Sequence, residues 1–487
     1  MYLGLDLGTT NVKALLVTGD GRIACRGSAP IQLIHTAEGG VEQDIEEIRL
    51  ATLNAIRQAG VDGMLHNVSA VGVSSQGGAM QMLNPAGFPV GRVISWLDGR
   101  GRPYNAAITQ ELGREWFARH TGHSTGGTAV GQLMRLHAER PSSVSDPNRI
   151  GFVGDVIVGM LCGRRAHDAT SLSIASLYNP YTGSADPGIL DKLGINESQL
   201  PDLVSAKQPA GMLRSETAME TGLSQGIPVS VAIHDQYASA LGSGVTHPDD
   251  VMFGAGTAWV LLAVTNRLAA PIVNGAFVCQ HIIEDLYGQM LSMGNGGAAF
   301  GWIRELMGLS CSSQTELDMI MGRVAPGSEG VRFWPLLATG GGAGLAPATH
   351  GRLAGLQSFH RAEHILRAAV EGLSLELARY LNLMTEGGLV ARRIVMTGGA
   401  AKSTVTPQII ADATGVPVVC KTGSDMSALG AAIVARSLVE PKAYLTDLVE
   451  AMTPPANVVE PGPDCAFYRV LFKEYVVSLP AAPKREI

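Results

Sequence analysis

Several things are missing from this chain. None of its six cysteines (25, 162, 279, 311, 420, 465) sits in a C-x-x-C pair. That excludes a disulfide or zinc framework and predicts buried free thiols in a reducing cytoplasm. There is no run of Lys and Arg, and with a formal net charge of −7 the chain lacks the electrostatic footprint of a nucleic-acid binder. No uncharged apolar stretch reaches the roughly 18 residues of a membrane span. No basic segment precedes an apolar one at the N-terminus, so no secretory signal is expected. A Walker A loop is absent too. TGGAAKST (397–404) comes nearest, with Ala401 where that motif requires Gly.

What is present is a large α/β protein. The 487 residues exceed one hydrophobic core, so at least two large domains are expected. Hydrophobic residues at 46% against 16% charged fit a globular chain with large cores. Helical periodicity is clear over 44–59 and 361–384, and strand-like runs recur at 68–73, 227–233 and 393–397.

The opening LGLDLGTTNVKALLVTGDGR (3–22) carries chemistry. An apolar strand ends on Asp6, passes a small turn at Gly8, Thr9 and Thr10, and returns as VKALLV; a D-G hairpin turn follows at 18–21. A carboxylate at the mouth of a buried strand is costly unless something binds it. Turn N–H groups and hydroxyls beside that carboxylate suit a phosphate together with a divalent cation. The alternative is an ordinary hairpin with a solvated Asp6. VMFGAGTAWVLLAV (251–264) repeats the strand–turn–strand plan around Gly254 and Gly256, implying a duplicated architecture with a nucleotide between two halves. The Gly-rich GNGGAAFG (294–301), which includes Gly297, and TGGGAGLAP (339–347) read as loops lining a cleft. The methionines at 80, 82, 290 and 293 read as core packing.

Asp235 follows a buried strand (IPVSVAIH, 227–234) and opens a small-residue helix, QYASALGSG. Ligands of open α/β sheets bind at such strand ends, and an Asp there also suits a helix N-cap.

GRLAGLQSFHRAEHILRAAVEGLS (351–374) resembles the C-terminal signature of the FGGY carbohydrate kinases. LDLGTTNVK, SWLDGR (95–100), HDQYASALGSG (234–244) and TGGAAKS (397–403) follow that family's order. The subgroup most resembled is the xylulose kinases. The resemblance implies an actin/hexokinase-type fold, with two ribonuclease-H-like domains around a nucleotide and sugar cleft; we place them at 1–244 and 245–487. It implies ATP and Mg2+ as cofactors, a small sugar as partner with neither nucleic acid nor membrane, and leaves a homodimer open.

Residue by residue, the resemblance implies that Asp235 is the base, that Asp6 faces the metal, and that Gly8, Thr9 and Thr10 embrace the phosphates. Lys13 either adds charge near those phosphates or faces solvent. At the second hairpin the family usually has Thr where this chain has Ala255, so Thr257 or the backbone N–H groups would serve beside Gly254 and Gly256. Gly398 and Gly399 would lie against ribose or adenine, with Ser403 near the adenine edge. Gln76, Gly77, Gly78, Trp96, Asp98 and Gln236 would form the sugar pocket. His234 stands where the family usually has a small residue, and reads as a neutral imidazole near the site. Two departures bear on the sugar. Gln76-Gly77-Gly78-Ala79 replaces the usual Q-M-H-G, which should leave room in the pocket. Gln132 and Arg135 occupy the Lys and Trp positions of K-x-x-W-L. The implied reaction is ATP-dependent phosphorylation of a ketose such as D-xylulose. Another ketose, polyol or sugar acid is the alternative, and a non-catalytic regulator of the same fold would have lost Asp6 or Asp235.

Overall fold

The computed structural model describes residues 1–480 apart from 257, 295, 338–342, 346–348 and 424, with backbone alone at 61 and 62. Four strands organise the first half: β1 (Tyr2–Leu7), β2 (Asn11–Val17), β3 (Ala70–Ser75) and β4 (Pro228–His234). β1 pairs antiparallel with β2 and parallel with β3, and β3 runs parallel to β4. Ile23–Pro30 extends the sheet beyond β2, while Ala166–His167 and Asp202–Leu203 extend it beyond β4. Leu3, Leu5 and Leu7 are wholly buried, as are Val71 and Val73, so these inner strands read as nearly unbroken apolar runs. The helix Ile45–Gln58 begins where Asp44 accepts from the amides of Glu46 and Glu47, and it buries Ile48, Leu53 and Ile56.

The helix α1 (Asp235–Ser243) leaves β4 directly. A second sheet then starts with β5 (Asp250–Ala255) and β6 (Trp259–Thr265), an antiparallel pair. β5 also runs parallel to β7 (Arg393–Thr397), which runs parallel to Val418–Cys420. Tyr287–Met293 and Phe277–Gln280 complete the β6 side, and Asn457–Val459 the other. The order hairpin, parallel strand, parallel strand, helix therefore occurs twice. In the second sheet its closing helix is α2 (Met426–Val439). Leu373, Leu377 and Leu381 of the long helix Ala362–Glu386 share a core with Val251 and Phe253.

α1 and α2 pack against each other, and α2 also covers β1 and β3 of the first sheet. The α1–α2 approach is backbone to backbone. A Cβ on Gly242 would lie 2.0 Å from the carbonyl oxygen of Met426, and one on Gly430 would lie 1.8 Å from that of Ala238.

No described helix is long and apolar enough to cross a membrane. The thiol expectation needs correction. Cys279 and Cys420 are buried, but Cys25, Cys162 and Cys465 are half-buried and Cys311, in the connection after the helix Gly297–Leu306, is exposed. The four methionines singled out above are all buried.

Candidate active site

The parallel strands β1, β3 and β4 end side by side. Asp6 lies opposite Ser74, and His234 opposite Ser75, so Asp6, Gln76 and Asp235 emerge from one sheet edge. Asp6 accepts a hydrogen bond from the Ser74 hydroxyl at 3.4 Å. Burial pushes its pKa up to about 7, and the negative charge of Asp235 adds to the rise, while Lys13 and Ser74 oppose it. Asp235 is the first residue of α1; its side chain is 27% exposed, deep yet reachable. Burial raises its pKa to about 6, against the pull of the Gln236 amide. The N-cap position belongs to His234, whose side chain makes no capping bond, so Asp235 does not serve as the cap.

The opening turn closes with the Gly8 amide donating to the Asn11 carbonyl at 3.1 Å. Thr9 links the opening turn to the loop that carries Trp96: its hydroxyl accepts from the Trp96 indole at 2.9 Å, and its carbonyl accepts from Gln43 at 2.8 Å. Gln76 donates to Gln43 at 3.1 Å and to the Gly8 carbonyl at 3.4 Å. Trp96 keeps 43% of its surface exposed, an aromatic face at the rim. Thr10 is exposed at the tip of the turn.

Asp98 is placed differently. It is buried, and its carboxylate accepts from the Val41 amide, from the Arg100 amide and guanidinium, and from Gln132. Burial alone would raise its pKa; Arg100 and these amides hold it below the usual range. Gln132 in turn accepts from Arg135 at 2.8 Å, so both departures in that segment serve to buttress Asp98.

The expected room at Gly77-Gly78 exists at one position only. A Cβ at Gly78 would meet nothing nearer than Trp96 Cβ at 3.8 Å, although φ is +74° there. At Gly77 the space is taken, because a Cβ would lie 2.5 Å from the His234 ring.

Across the molecule, Gln236, Gly254, Gly256, Gly398 and Ser427 line a cavity of about 190 Å³. Ala255 and Gly256 also line an adjoining cavity of about 360 Å³ with Gly297, Gly399, Phe300, Arg304 and Gln314. Gly398 is required at its position: φ is +90°, and a Cβ would lie 2.7 Å from the Ala255 carbonyl oxygen. Thr257 and most of TGGGAGLAP lie outside the described residues. Ser403 is occupied elsewhere. Its hydroxyl donates to Asp318 at 2.7 Å and accepts from the Thr406 amide at the start of the helix Thr406–Thr414.

These residues fit a triphosphate with a divalent cation. The two cavities, which share Ala255 and Gly256 in their walls, run past glycine turns at 254–256 and 398–399. Asp6 is a carboxylate whose charged form burial disfavours, and a cation would compensate it. Among the described residues no three His, Cys, Asp or Glu are grouped to hold a metal alone.

Two functional candidates escaped sequence reasoning. Gln43 joins Thr9 to Gln76. Asp425, just before α2, lies 3.3 Å from Lys13 Nζ and 3.3 Å from Arg26 Nε. Lys13 is thus held at the mouth of the hairpin by a residue of the second half. A signal for Asp425 was available: Ser239-Ala240-Leu241-Gly242 after Asp235 recurs as Ser427-Ala428-Leu429-Gly430 after Asp425. Ser427 also donates to the Asp235 carbonyl at 3.1 Å.

Comparison with known proteins gives the same picture. Residues 1–242 match the FGGY family of carbohydrate kinases, N-terminal domain, and residues 251–438 match its C-terminal domain. The chain is 27% identical over 487 residues to a probable L-xylulose kinase of Pasteurella multocida, covering 97% of each. It is 28% identical over 460 residues to the L-xylulose/3-keto-L-gulonate kinase of Escherichia coli K12, covering 89% of this chain and 87% of that one. The crystal structure of xylulose kinase from Rhodospirillum rubrum superposes with a TM-score of 0.86 at 23% identity, over 98% of this chain and 97% of that one.

Proposed function

The chain belongs to the FGGY family of carbohydrate kinases, and from that premise we propose that it moves the γ-phosphoryl group of Mg-ATP to a hydroxyl of a ketose, with Asp235 as general base. The carrying observation is the position of Asp235: partly exposed, at the end of a parallel strand two places from Asp6 in the sheet order. In this reading the domains divide at 244/245. Gly8, Thr9, Thr10 and Lys13 face the phosphates from one side, and Gly254, Gly256 and Gly398 from the other, with Gly297 and Gly399 toward the base. Gln76, Gln236 and Trp96 face the sugar, and Asp98 shapes the pocket through Arg100 without offering its own oxygens. Asp235 accepts the acceptor hydroxyl's proton while that oxygen attacks phosphorus and the bond to the leaving phosphate oxygen breaks. Asp6 would hold Mg2+ directly or through water, and the metal would supply charge neutralisation on the phosphates. L-Xylulose and 3-keto-L-gulonate, named for a relative, make a pentulose or a related sugar acid the leading acceptor classes.

A coupled ATP-turnover screen over D-xylulose, L-xylulose, hexuloses, polyols and sugar acids tests the acceptor class. Asp235→Ala should lower kcat on the best acceptor by roughly 10²–10⁴-fold. A variant keeping more than about a tenth of native kcat sinks the base assignment.

A further inference from the structure

His234 is held from three directions. Its amide donates to the Thr170 hydroxyl at 3.0 Å, and Thr170 donates to Asp168 at 2.7 Å, which pins the main chain. Its ring is buried, with Nε2 3.2 Å from Asp235 Oδ1. The same ring fills the space above Gly77, where a Cβ would lie 2.5 Å from both Cδ2 and Nε2 and 2.9 Å from Ile174 Cγ1. Nδ1 is buried and has no partner.

Burial lowers the His234 pKa to about 3, so the ring is neutral and carries one N–H. An ionised Asp235 can only accept, so the tautomer that serves it carries the proton on Nε2, 3.2 Å from Oδ1, and leaves Nδ1 as a bare acceptor, the cheaper group to bury unpaired.

We propose that His234 is a positioning residue for Asp235, its Nε2–H holding one carboxylate oxygen so that the other meets the acceptor hydroxyl, and that Gly77 is glycine because this ring occupies its side-chain space. The proposal rests on Asp235 being the base. It turns an apparent loss in the sugar motif into a trade: residue 77 gives up its side chain so that a histidine from β4 can stand behind the base.

The test uses the full chain, thermal melting as a fold control, and Mg-ATP turnover with D-xylulose, L-xylulose and glycerol as acceptors. His234→Leu removes the donor, and His234→Gln returns an N–H near the same place. Leu should lower kcat about tenfold to a hundredfold, the weight of a hydrogen bond to a charged group, with KM for ATP within about twofold of native. Gln should recover most of that loss, a rescue that mere space-filling would not require. Gly77→Ala should lower kcat by a similar factor while His234 is present. Combined with His234→Ala, it should add little further loss, since both act through one ring. A Leu variant within about threefold of native kcat, or losses at 77 and 234 that simply multiply, overturns the proposal. Should the Leu variant not fold, His234→Gln and the Gly77 cycle decide. Asp235→Asn is measured alongside. If it stays active, the base assignment fails and the positioning role falls with it. If it is inactive while His234→Leu matches native, the base stands and the positioning role fails.

Discussion

Burial raises the pKa of both Asp235 and Asp6 above the ordinary carboxylate range, and at Asp6 the charge of Asp235 adds to the rise. A base must be ionised to accept a proton, so protonation below its pKa removes activity. With Asp235 near 6, kcat/KM for the sugar should rise about tenfold per pH unit up to about pH 6 and then level. His234, near 3, is neutral throughout and adds no limb there. A pH–rate profile at saturating Mg2+ checks this; a flat profile from pH 5 to 8 contradicts it. Asp6→Ala should raise the magnesium concentration needed for half-maximal rate by roughly 10–100-fold, as loss of an outer-shell metal partner does. Unchanged magnesium dependence would leave Asp6 a purely structural acid.

At the scale of elements, the crossing of α1 and α2 is a tight constraint near the site. Gly430 touches the backbone of α1, which cannot swing away as a side chain can. Gly430→Ala should therefore cost about 1–3 kcal/mol in stability, typical of overpacking, and more if α1 cannot shift. Gly301→Ala is the control, since nothing lies within 4 Å of its Cβ position in the helix Gly297–Leu306. Relief of helical glycine should stabilise there by roughly 0.5–1 kcal/mol. Thermal melts of the two variants compare them directly, and equal effects would mean the crossing is looser than the geometry states. Because Asp235 opens α1 and Asp425 precedes α2, a shift at Gly430 should also lower kcat.

For the whole molecule, the consequence is coupling between halves. The cavity of about 190 Å³ takes Gln236 and Ser239 from α1, Gly254 and Gly256 from the second sheet's hairpin, and Ser427 from α2. A ligand bound there holds both halves together. Mg-ATP at a hundred times its Kd should stabilise the fold by about 2.7 kcal/mol, read as a rise in Tm, whereas Mg2+ alone should have little effect. The same Tm with and without Mg-ATP would remove the nucleotide from this cavity. The ion pairs of Asp425 with Lys13 and Arg26 join the halves as well. Arg26 is 61% exposed, so its pair adds less to stability than to the placement of Lys13.

Much of this site was legible in the chain because its signals are local. The hairpin around Gly8 to Thr10 follows from turn chemistry and strand alternation. The strand end at Asp235 was legible because a buried strand, an acid and a small-residue helix follow one another without a break over 227–244. Even the repeated Ser-Ala-Leu-Gly was there to be read. Its meaning, two helices touching at their glycines, was not, and neither were Asp425 against Lys13, Gln43 between Thr9 and Gln76, Val41 and Gln132 donating to Asp98, or His234 above Gly77. Each joins residues tens to hundreds of positions apart, and nothing in local φ/ψ preference or hydrophobic period encodes such a distance. Which elements exist, and which acid sits at which end, was determined by the sequence through short-range sterics and burial. Which side chains stand against one another was decided by the tertiary structure, through close packing of the two sheets on α1 and α2.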